Sequence, residues 1–115
     1  MKANAGTNVV KIPIAGAKLM EIIRNLAKER KVLFSTHAFS RLEERSGIVE
    51  ITETDVYRVL ECGSLDGVPK AGTGPNEWKA TITFRPKGSR EIGVATVTIN
   101  NLEKLLVTTV MWRDA

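Results

Sequence analysis

The chain has 115 residues, of which 43% are hydrophobic and 26% are charged, so it is long enough for one domain with a core and too short for two. This composition is ordinary for a globular protein and disfavours a fibrous or disordered chain. The net charge of +4 favours nucleic acids, acidic proteins or phosphorylated molecules as partners.

The beginning of the chain is predicted to be a flexible tail. Residues 1–8 are small and polar, and a single α+β domain is predicted to occupy residues 9–115. The segment 9–14 suits a short strand at a sheet edge, because Pro13 cannot donate a ladder hydrogen bond. We find no signal-peptide pattern and no run of about 18 apolar residues, so we expect a cytoplasmic protein without a membrane span.

The clearest amphipathic helix is predicted from Ala17 to about Arg30. Apolar residues recur there at three- and four-residue spacing, while polar and charged residues fill the opposite face. The expected buried residues are Leu19, Ile22, Ile23, Leu26 and Ala27. The short apolar run 32–34 follows, and it is predicted to pair as a strand at a sheet edge.

Two more helices are predicted in the first half of the chain. The second begins after an N-cap at Ser35 or Thr36 and ends at Gly47. The third begins at Thr52, where an aspartate three residues later completes a capping-box pattern, and it ends at Gly63. Its predicted buried face consists of Val56, Val59 and Leu60.

The only histidine of the chain, His37, lies at the start of the second predicted helix. Helical spacing places Arg41, Glu44 and Arg45 on nearly the same face. The positive end of the helix dipole favours a neutral imidazole, which can act as a general base, and arginines can bind phosphate oxygens. This face is therefore a candidate site for binding, and for cleaving, a polyanion.

Each of these side chains also has a purely structural interpretation. His37 could cap its helix or bond to the neighbouring backbone. Arg41 could form an ion pair with Glu44, and Arg45 could form one with another nearby carboxylate. Surface ion pairs of this kind contribute only about 0–1 kcal/mol to the free energy of folding. This contribution is too small to favour the structural interpretation over the functional one.

The second half of the chain changes to the two-residue period of strands. The stretch 66–77 is rich in glycine and proline and is predicted to be a loop, as is the hairpin segment 86–90. Between them lies a strand with two distinct faces. Its apolar face consists of Trp78, Ala80, Ile82 and Phe84, and its polar face of Lys79, Thr81, Thr83 and Arg85.

Two further strands complete the predicted sheet. The strand 92–99 loses its alternation around Ala95 and Thr96, which predicts a bulge. A turn at 100–101 leads into the strand 105–112, whose apolar residues on both faces indicate a central or covered position. The order of elements predicts an α+β fold in which N-terminal helices pack on a three- to four-stranded antiparallel sheet.

The sheet face opposite the helices is predicted to be polar and basic. Lys79 and Arg85 would lie on it, with Arg90 across the hairpin and Arg113 at the end of the last strand. These four are candidates for phosphate contacts, although each could equally be a solvated strand residue. Tryptophans such as Trp78 and Trp112 belong to a core more often than to a base-stacking platform.

No metal or cofactor site is predicted. One histidine and one cysteine cannot supply the ligands of a zinc site. The segment 72–74 neither follows a strong strand nor opens a helix, as a nucleotide-binding loop does. Cys62 is the only cysteine, so no internal disulfide can form, and we expect a buried or half-buried structural thiol.

Several motifs of the chain occur in the order of a known family. They are Phe34-Ser35-Thr36-His37-Ala38, Arg41-Leu42, Arg45, the capped third helix, Trp78-Lys79 and the closing stretch Val107 to Trp112. This order resembles small bacterial proteins with an F-[ST]-x-H-A-x-x-R-[LM]-x-x-R motif and a terminal T-[VI]-x-[WY] strand. That family is similar to the RelE/ParE toxin superfamily, close to the MqsR-type messenger-RNA interferases. The chain departs from it in a longer connection at 46–52.

The resemblance implies a RelE-like fold and a toxin-type ribonuclease of a toxin-antitoxin pair, acting without a metal on RNA, free or on the ribosome. Its residues would promote attack of a ribose 2′-hydroxyl on the adjacent phosphate. His37, Arg45 and Lys79 would be catalytic, and Arg41, Arg85, Arg90 and Arg113 would bind phosphates. An acidic antitoxin would be the protein partner. The alternative is a non-catalytic module of the same fold that binds RNA or an acidic partner.

Overall fold

The computed structural model describes residues 14–43, 51–86 and 90–113, without the side chains of Arg41 and Glu43. These residues form three helices and five strands. Their bounds are α1 Gly16–Lys28, β1 Val32–Phe34, α2 Thr36–Glu43, α3 Glu53–Cys62, β2 Ser64–Ala71, β3 Trp78–Phe84, β4 Ile92–Ile99 and β5 Lys104–Trp112. The order of helices and strands confirms the α+β class.

All five strands belong to one mixed sheet with the order β1-β5-β4-β3-β2. Neighbours among β2 to β5 are antiparallel, while β1 pairs parallel with β5, where Leu33 is opposite Leu106. The expected sheet of three to four antiparallel strands is therefore wrong in strand number and in the direction of one edge strand. Local sequence patterns do not encode this direction, because it depends on a partner far along the chain.

The unexpected strand is β2, which includes the first part of the stretch 66–77 predicted to be a loop. Its pairing with β3 shifts between Asp66 and Lys70, where Gly67 has a φ of 86°. A glycine with positive φ and a nearby proline hide the alternation, and an edge strand tolerates both because its outer side makes no ladder bonds. The side chain of Leu65 lies against the start of α1 and so joins β2 to the helices.

Helices α1 and α3 pack against each other on one face of the sheet. In α1, Leu19, Ile23, Leu26 and Ala27 are buried as predicted, and Ile22 is half-buried. These side chains pack against the apolar face of β3. The apolar residues that recur with the 3.6-residue period of the helix and those that recur with the two-residue period of the strand therefore form one core.

The capping box of α3 is confirmed. The Thr52 hydroxyl accepts a hydrogen bond from the backbone N–H of Asp55 at 3.1 Å, and the Asp55 carboxylate accepts one from the Thr52 N–H at 2.9 Å. The buried residues of the helix are Val56, Val59 and Leu60, and Gly63 follows its last turn, as predicted.

Three predictions about the last strands are also confirmed. The pairing of β4 with β5 shifts between Ala95 and Thr96, so that Thr108 is left out of the ladder as a bulge. Residues Asn100 and Asn101 turn the chain with φ angles of 53° and 56°. Strand β5 lies between β1 and β4, as its two apolar faces predict.

Helix α2 is joined to β5 through its N-cap. Of the two predicted caps, Ser35 is the one used: its hydroxyl accepts a hydrogen bond from the Ala38 N–H at 3.1 Å and donates one to the Thr108 carbonyl at 3.2 Å. Ala38 is fully buried, so the helix joins the core through this side. The start of α2 is thus fixed beside the bulge of β5.

Several predictions concern residues outside the described ranges. They are the tail 1–8, all but the last residue of the edge segment 9–14, the end of the second helix at Gly47 and most of the hairpin loop 86–90. Among the described residues, no helix has the length and apolar character needed to cross a membrane.

Candidate nucleic-acid interface

Opposite α1 and α3, the sheet has a second face on which the outward residues of β2 and β3 are exposed or half-buried. We call it the open face, and it carries the outward residues of β3, Lys79, Thr81 and Thr83, as predicted. Cross-strand pairing extends it from Lys79 to Val97 and then to Leu106 and Leu33. The half formed by β2 and β3 carries Lys79, whereas the half formed by β4, β5 and β1 is mainly apolar, with Lys104 at its end, and includes Leu33, which is 46% exposed.

A cleft of about 530 Å³ lies on the open face, across β2 to β5. Its lining includes Asp66, Lys70, Lys79, Thr81, Val97 and Thr108, which come from four neighbouring strands. The irregular pairing of β2 shapes one wall, because a bulge bends the strand that contains it. The volume falls within the range of about 300–1,000 Å³ that is usual for small-ligand sites.

Two lysines face this cleft from neighbouring strands. Lys70 of β2 and Lys79 of β3 are directly opposite each other in the ladder, and both are exposed. Within the described ranges, no carboxylate lies at ion-pair distance from either ammonium group. Lys70 was not a predicted site residue, because it falls in the stretch interpreted as a loop, where no alternation marks its orientation.

Arg113 crosses the open face and forms an ion pair. Its guanidinium Nη2 lies 2.8 Å from Oδ2 of Asp66, which joins the end of β5 to β2. Its aliphatic part passes over Gly93, where an added Cβ would lie 2.7 Å from the Arg113 Cδ. A phosphate that binds Arg113 must therefore compete with Asp66, a residue that sequence analysis did not select.

Arg90 lies on the other side of the sheet. Its guanidinium carbon is 4.8 Å from the centre of the Trp112 ring, and Trp112 is opposite Ile92, a buried residue of the helix-covered face. Directly paired residues project from the same face of a sheet. The structure therefore does not bring Arg90 together with Lys79. Trp78 is 6% exposed, which confirms its interpretation as a core residue.

Of the remaining predicted arginines, only Arg85 has a described side chain. Arg85 is exposed one residue beyond β3 and continues its alternation toward the open face. Arg45 and the side chain of Arg41 lie outside the description, so their roles as a catalytic and a phosphate-binding residue stay predictions.

His37 is exposed in the first turn of α2. It does not cap the helix, since Ser35 does, and it makes no hydrogen bond or ion pair with another described residue. Its neighbour Ser35 is bonded to Thr108 on β5, whereas Lys79 is on β3, two strand spacings or about 10 Å away. This separation suits two points along an extended ligand better than two contacts to one phosphate.

A second cavity, of about 470 Å³, is lined by Arg30, Glu53, Thr54 and Tyr57. The Arg30 guanidinium lies 4.1 Å from the centre of the Tyr57 ring and 3.6 Å from the Glu61 carboxylate. Burial raises the pKa of the Tyr57 phenol above its usual value, although the Arg30 charge opposes this, so the hydroxyl stays protonated near neutral pH. With two carboxylates beside it, this cavity suits a polyanion less well than the cleft.

Cys62 is an exposed free thiol at the end of α3, so the prediction of a buried or half-buried side chain is wrong. The buried stripe of the helix ends at Leu60, and Cys62 falls on the outer side. In the described part of the chain, no three His, Cys, Asp or Glu side chains cluster closely enough to hold a metal ion.

Comparisons of the chain with the sequence profiles of protein families, with curated proteins and with solved structures find no match. Function must therefore be inferred from the geometry of the open face and from the motif around His37.

Proposed function

We propose that the open face binds RNA and that the protein is a toxin-type ribonuclease that needs no metal. The observation that carries the proposal is the cleft in which Lys70 and Lys79 face each other with no described carboxylate at ion-pair distance from either. RNA offers phosphates to such lysines, and its unstacked bases favour apolar surfaces. The open face provides both, because Val97 lines the cleft and its partner Leu106 continues the apolar surface beside it.

The proposal includes a RelE-like fold and a cytoplasmic location, where RNA is accessible. Helices α1 and α3 on one face of the sheet, with exposed residues of β2 and β3 on the other, are the features of the chain that favour this fold. An acidic antitoxin is the proposed protein partner, since an acidic segment laid over Lys79 and Arg85 would compete with RNA through complementary charge.

In the ribonuclease, His37 would act as the general base that takes the proton of the attacking ribose 2′-hydroxyl, or as the general acid that protonates the 5′-oxygen as its bond to phosphorus breaks. Arg45 and Lys79 would stabilise the negative charge of the transition state, and Arg41, Arg85 and Arg113 would hold further phosphates. Exposure of His37 leaves its ring accessible to a ligand that runs from α2 across the sheet.

A specific observation favours a second candidate, a non-catalytic module that binds RNA or an acidic partner. His37 lies on α2, which is bonded to β5, and β5 is two strand spacings, or about 10 Å, from the β3 strand that carries Lys79. No described carboxylate orients the imidazole. Binding requires only the cleft, whereas catalysis requires that both groups reach the same reacting unit.

Charge reversal in the cleft tests RNA binding. Lys79→Glu should weaken binding of a short single-stranded RNA by at least about tenfold, because it replaces attraction to a phosphate by repulsion. It should also make the slope of log affinity against log salt shallower by about 0.7 for each phosphate that the variant no longer binds. Fluorescence anisotropy with a labelled RNA at several salt concentrations measures both quantities.

Lys28→Glu is the matched control, because Lys28 is exposed on α1, on the helix-covered side. The control changes the net charge by the same amount, and we expect near wild-type affinity. Equal losses of affinity in the two variants would show that overall charge, and not the open face, attracts RNA. Absence of RNA binding by the wild-type protein would reject the proposal outright.

A further inference from the structure

We infer that Lys70 and Lys79 form a clamp in which both ammonium groups bind one phosphate. The inference rests on the proposed function and deepens it in two ways. It assigns a phosphate-binding role to Lys70, and it states that two lysines bind one phosphate and not two successive ones.

The geometry of the ladder supports the clamp. Lys70 and Lys79 are register partners on β2 and β3, so their Cβ atoms are about 4.5–5.5 Å apart and project from the same face. Both side chains are exposed and line the cleft, and a lysine has enough length and freedom to turn its ammonium toward a shared anion. A tetrahedral phosphate presents oxygens to both sides at once.

The like charges of Lys70 and Lys79 also support the clamp. Like charges directly opposite on neighbouring strands repel each other, so an empty clamp destabilises the pairing of β2 with β3. The carboxylate of Asp66 lines the same cleft, but it is held by Arg113 at 2.8 Å, so its charge is already offset. An anion between the two ammonium groups would remove their mutual repulsion, which no described carboxylate relieves at ion-pair distance.

The rest of the cleft suits the organic part of a phosphate ester. Thr81 and Thr108 supply hydroxyl groups, and Ala95 and Val97 supply a small apolar floor. The cleft volume of about 530 Å³ accepts a nucleotide-sized group. The ligand chemistry is therefore a phosphate ester, from an RNA backbone or from a free mononucleotide.

The test uses the complete chain with two phosphate-containing probes, hexauridylate and uridine 5′-monophosphate, and with uridine as the probe without phosphate. Lys70→Gln, Lys79→Gln and the double variant are compared with Lys28→Gln as the control. Each single cleft variant should bind hexauridylate about tenfold more weakly, while the control should match the wild type. Uridine should not distinguish any of the variants.

The salt dependence of hexauridylate binding decides whether the phosphate is shared. For single strands the slope of log affinity against log salt counts about 0.7 per bound phosphate, so a shared phosphate predicts that the slope of the double variant falls by about 0.7. Two separate phosphates predict a fall of about 1.4. If uridine 5′-monophosphate binds and Lys70→Gln lowers its affinity, free nucleotides are ligands. If only hexauridylate binds and loses affinity in Lys70→Gln, the ligand is RNA. Both results support the clamp.

A fall of about 1.4 in the slope of the double variant, or unchanged hexauridylate binding by Lys70→Gln, overturns the clamp and leaves RNA binding intact. Failure of the wild-type protein to bind hexauridylate contradicts the proposed function itself. Thermal unfolding gives an independent readout, because relief of the repulsion should raise the melting temperature of ligand-free Lys70→Gln by about 1–4 °C. A lower melting temperature would remove the charge argument for the clamp.

Discussion

Replacing Gly63 by alanine is expected to destabilise the fold by about 3 kcal/mol, the largest stability effect that we predict for a single added methyl group. Gly63 lies where α3 passes into β2, against β3. An added Cβ would lie 2.5 Å from the carbonyl oxygen of Thr83 and 2.6 Å from that of Val59. Both oxygens belong to the backbone of regular elements, so neither can turn away as the end of a side chain could.

Gly67→Ala is the matched control for this substitution. Gly67 has no heavy atom within 4 Å of an added Cβ, but its φ of 86° lies in the left-handed region. Alanine there should cost only about 1 kcal/mol, from backbone strain. Urea unfolding followed by circular dichroism measures both variants. A greater loss of stability for Gly67→Ala would show that the junction of α3 with the sheet has room for a methyl group.

His37→Gln is expected to lower the rate of RNA cleavage by about 100- to 10,000-fold, which is the usual contribution of a general acid or base. RNA binding should change little, because the phosphates are held in the cleft and not by the imidazole. Cleavage of a labelled RNA and growth arrest on expression in a bacterium measure the first effect, and anisotropy measures the second. Ser40→Ala, on an exposed position of the same helix, should cleave like the wild type.

Two outcomes would contradict the catalytic role of His37. One is the absence of RNA cleavage and growth arrest with the wild-type protein, and the other is equal toxicity of His37→Gln. If RNA is nevertheless bound through Lys79, the non-catalytic module is the correct function of the open face.

The helices and the inner strands could be predicted because their local periods report burial on one side. In α1 and β3 the apolar residues that recur in sequence are those that meet in the core. The slip at Ala95–Thr96 marked the bulge of β4 and β5, because a bulge changes the parity of one strand against the other. These features need no knowledge of distant partners.

The edges of the sheet could not be predicted in the same way. Strand β2 contains a glycine and a proline that interrupt its alternation, and the parallel pairing of β1 depends on residues far along the chain. The candidate site is equally hard to predict, because it depends on the register of these edge strands. Lys79 follows from the alternation of β3, but Lys70 becomes its neighbour only through the register of an edge strand. The ion pair of Arg113 with Asp66 likewise joins residues that only the sheet brings together.

The position of Arg90 was predictable from information already in the sequence. It lies two residues before Ile92, so continued alternation places both on the helix-covered face. A position in a hairpin loop does not define the orientation of a side chain, whereas a position in line with β4 does.

The measurement that tests the central claim most directly is an NMR titration of isotopically labelled protein with hexauridylate. If the open face binds RNA, shift changes should concentrate at the amides around the cleft, at Lys70, Lys79, Thr81 and Val97, and should shrink as salt is raised. The amides of α1, including Lys18 and Lys28, should barely move. Shift changes concentrated on α1 and α3, or no changes at RNA concentrations that saturate binding, would contradict the claim.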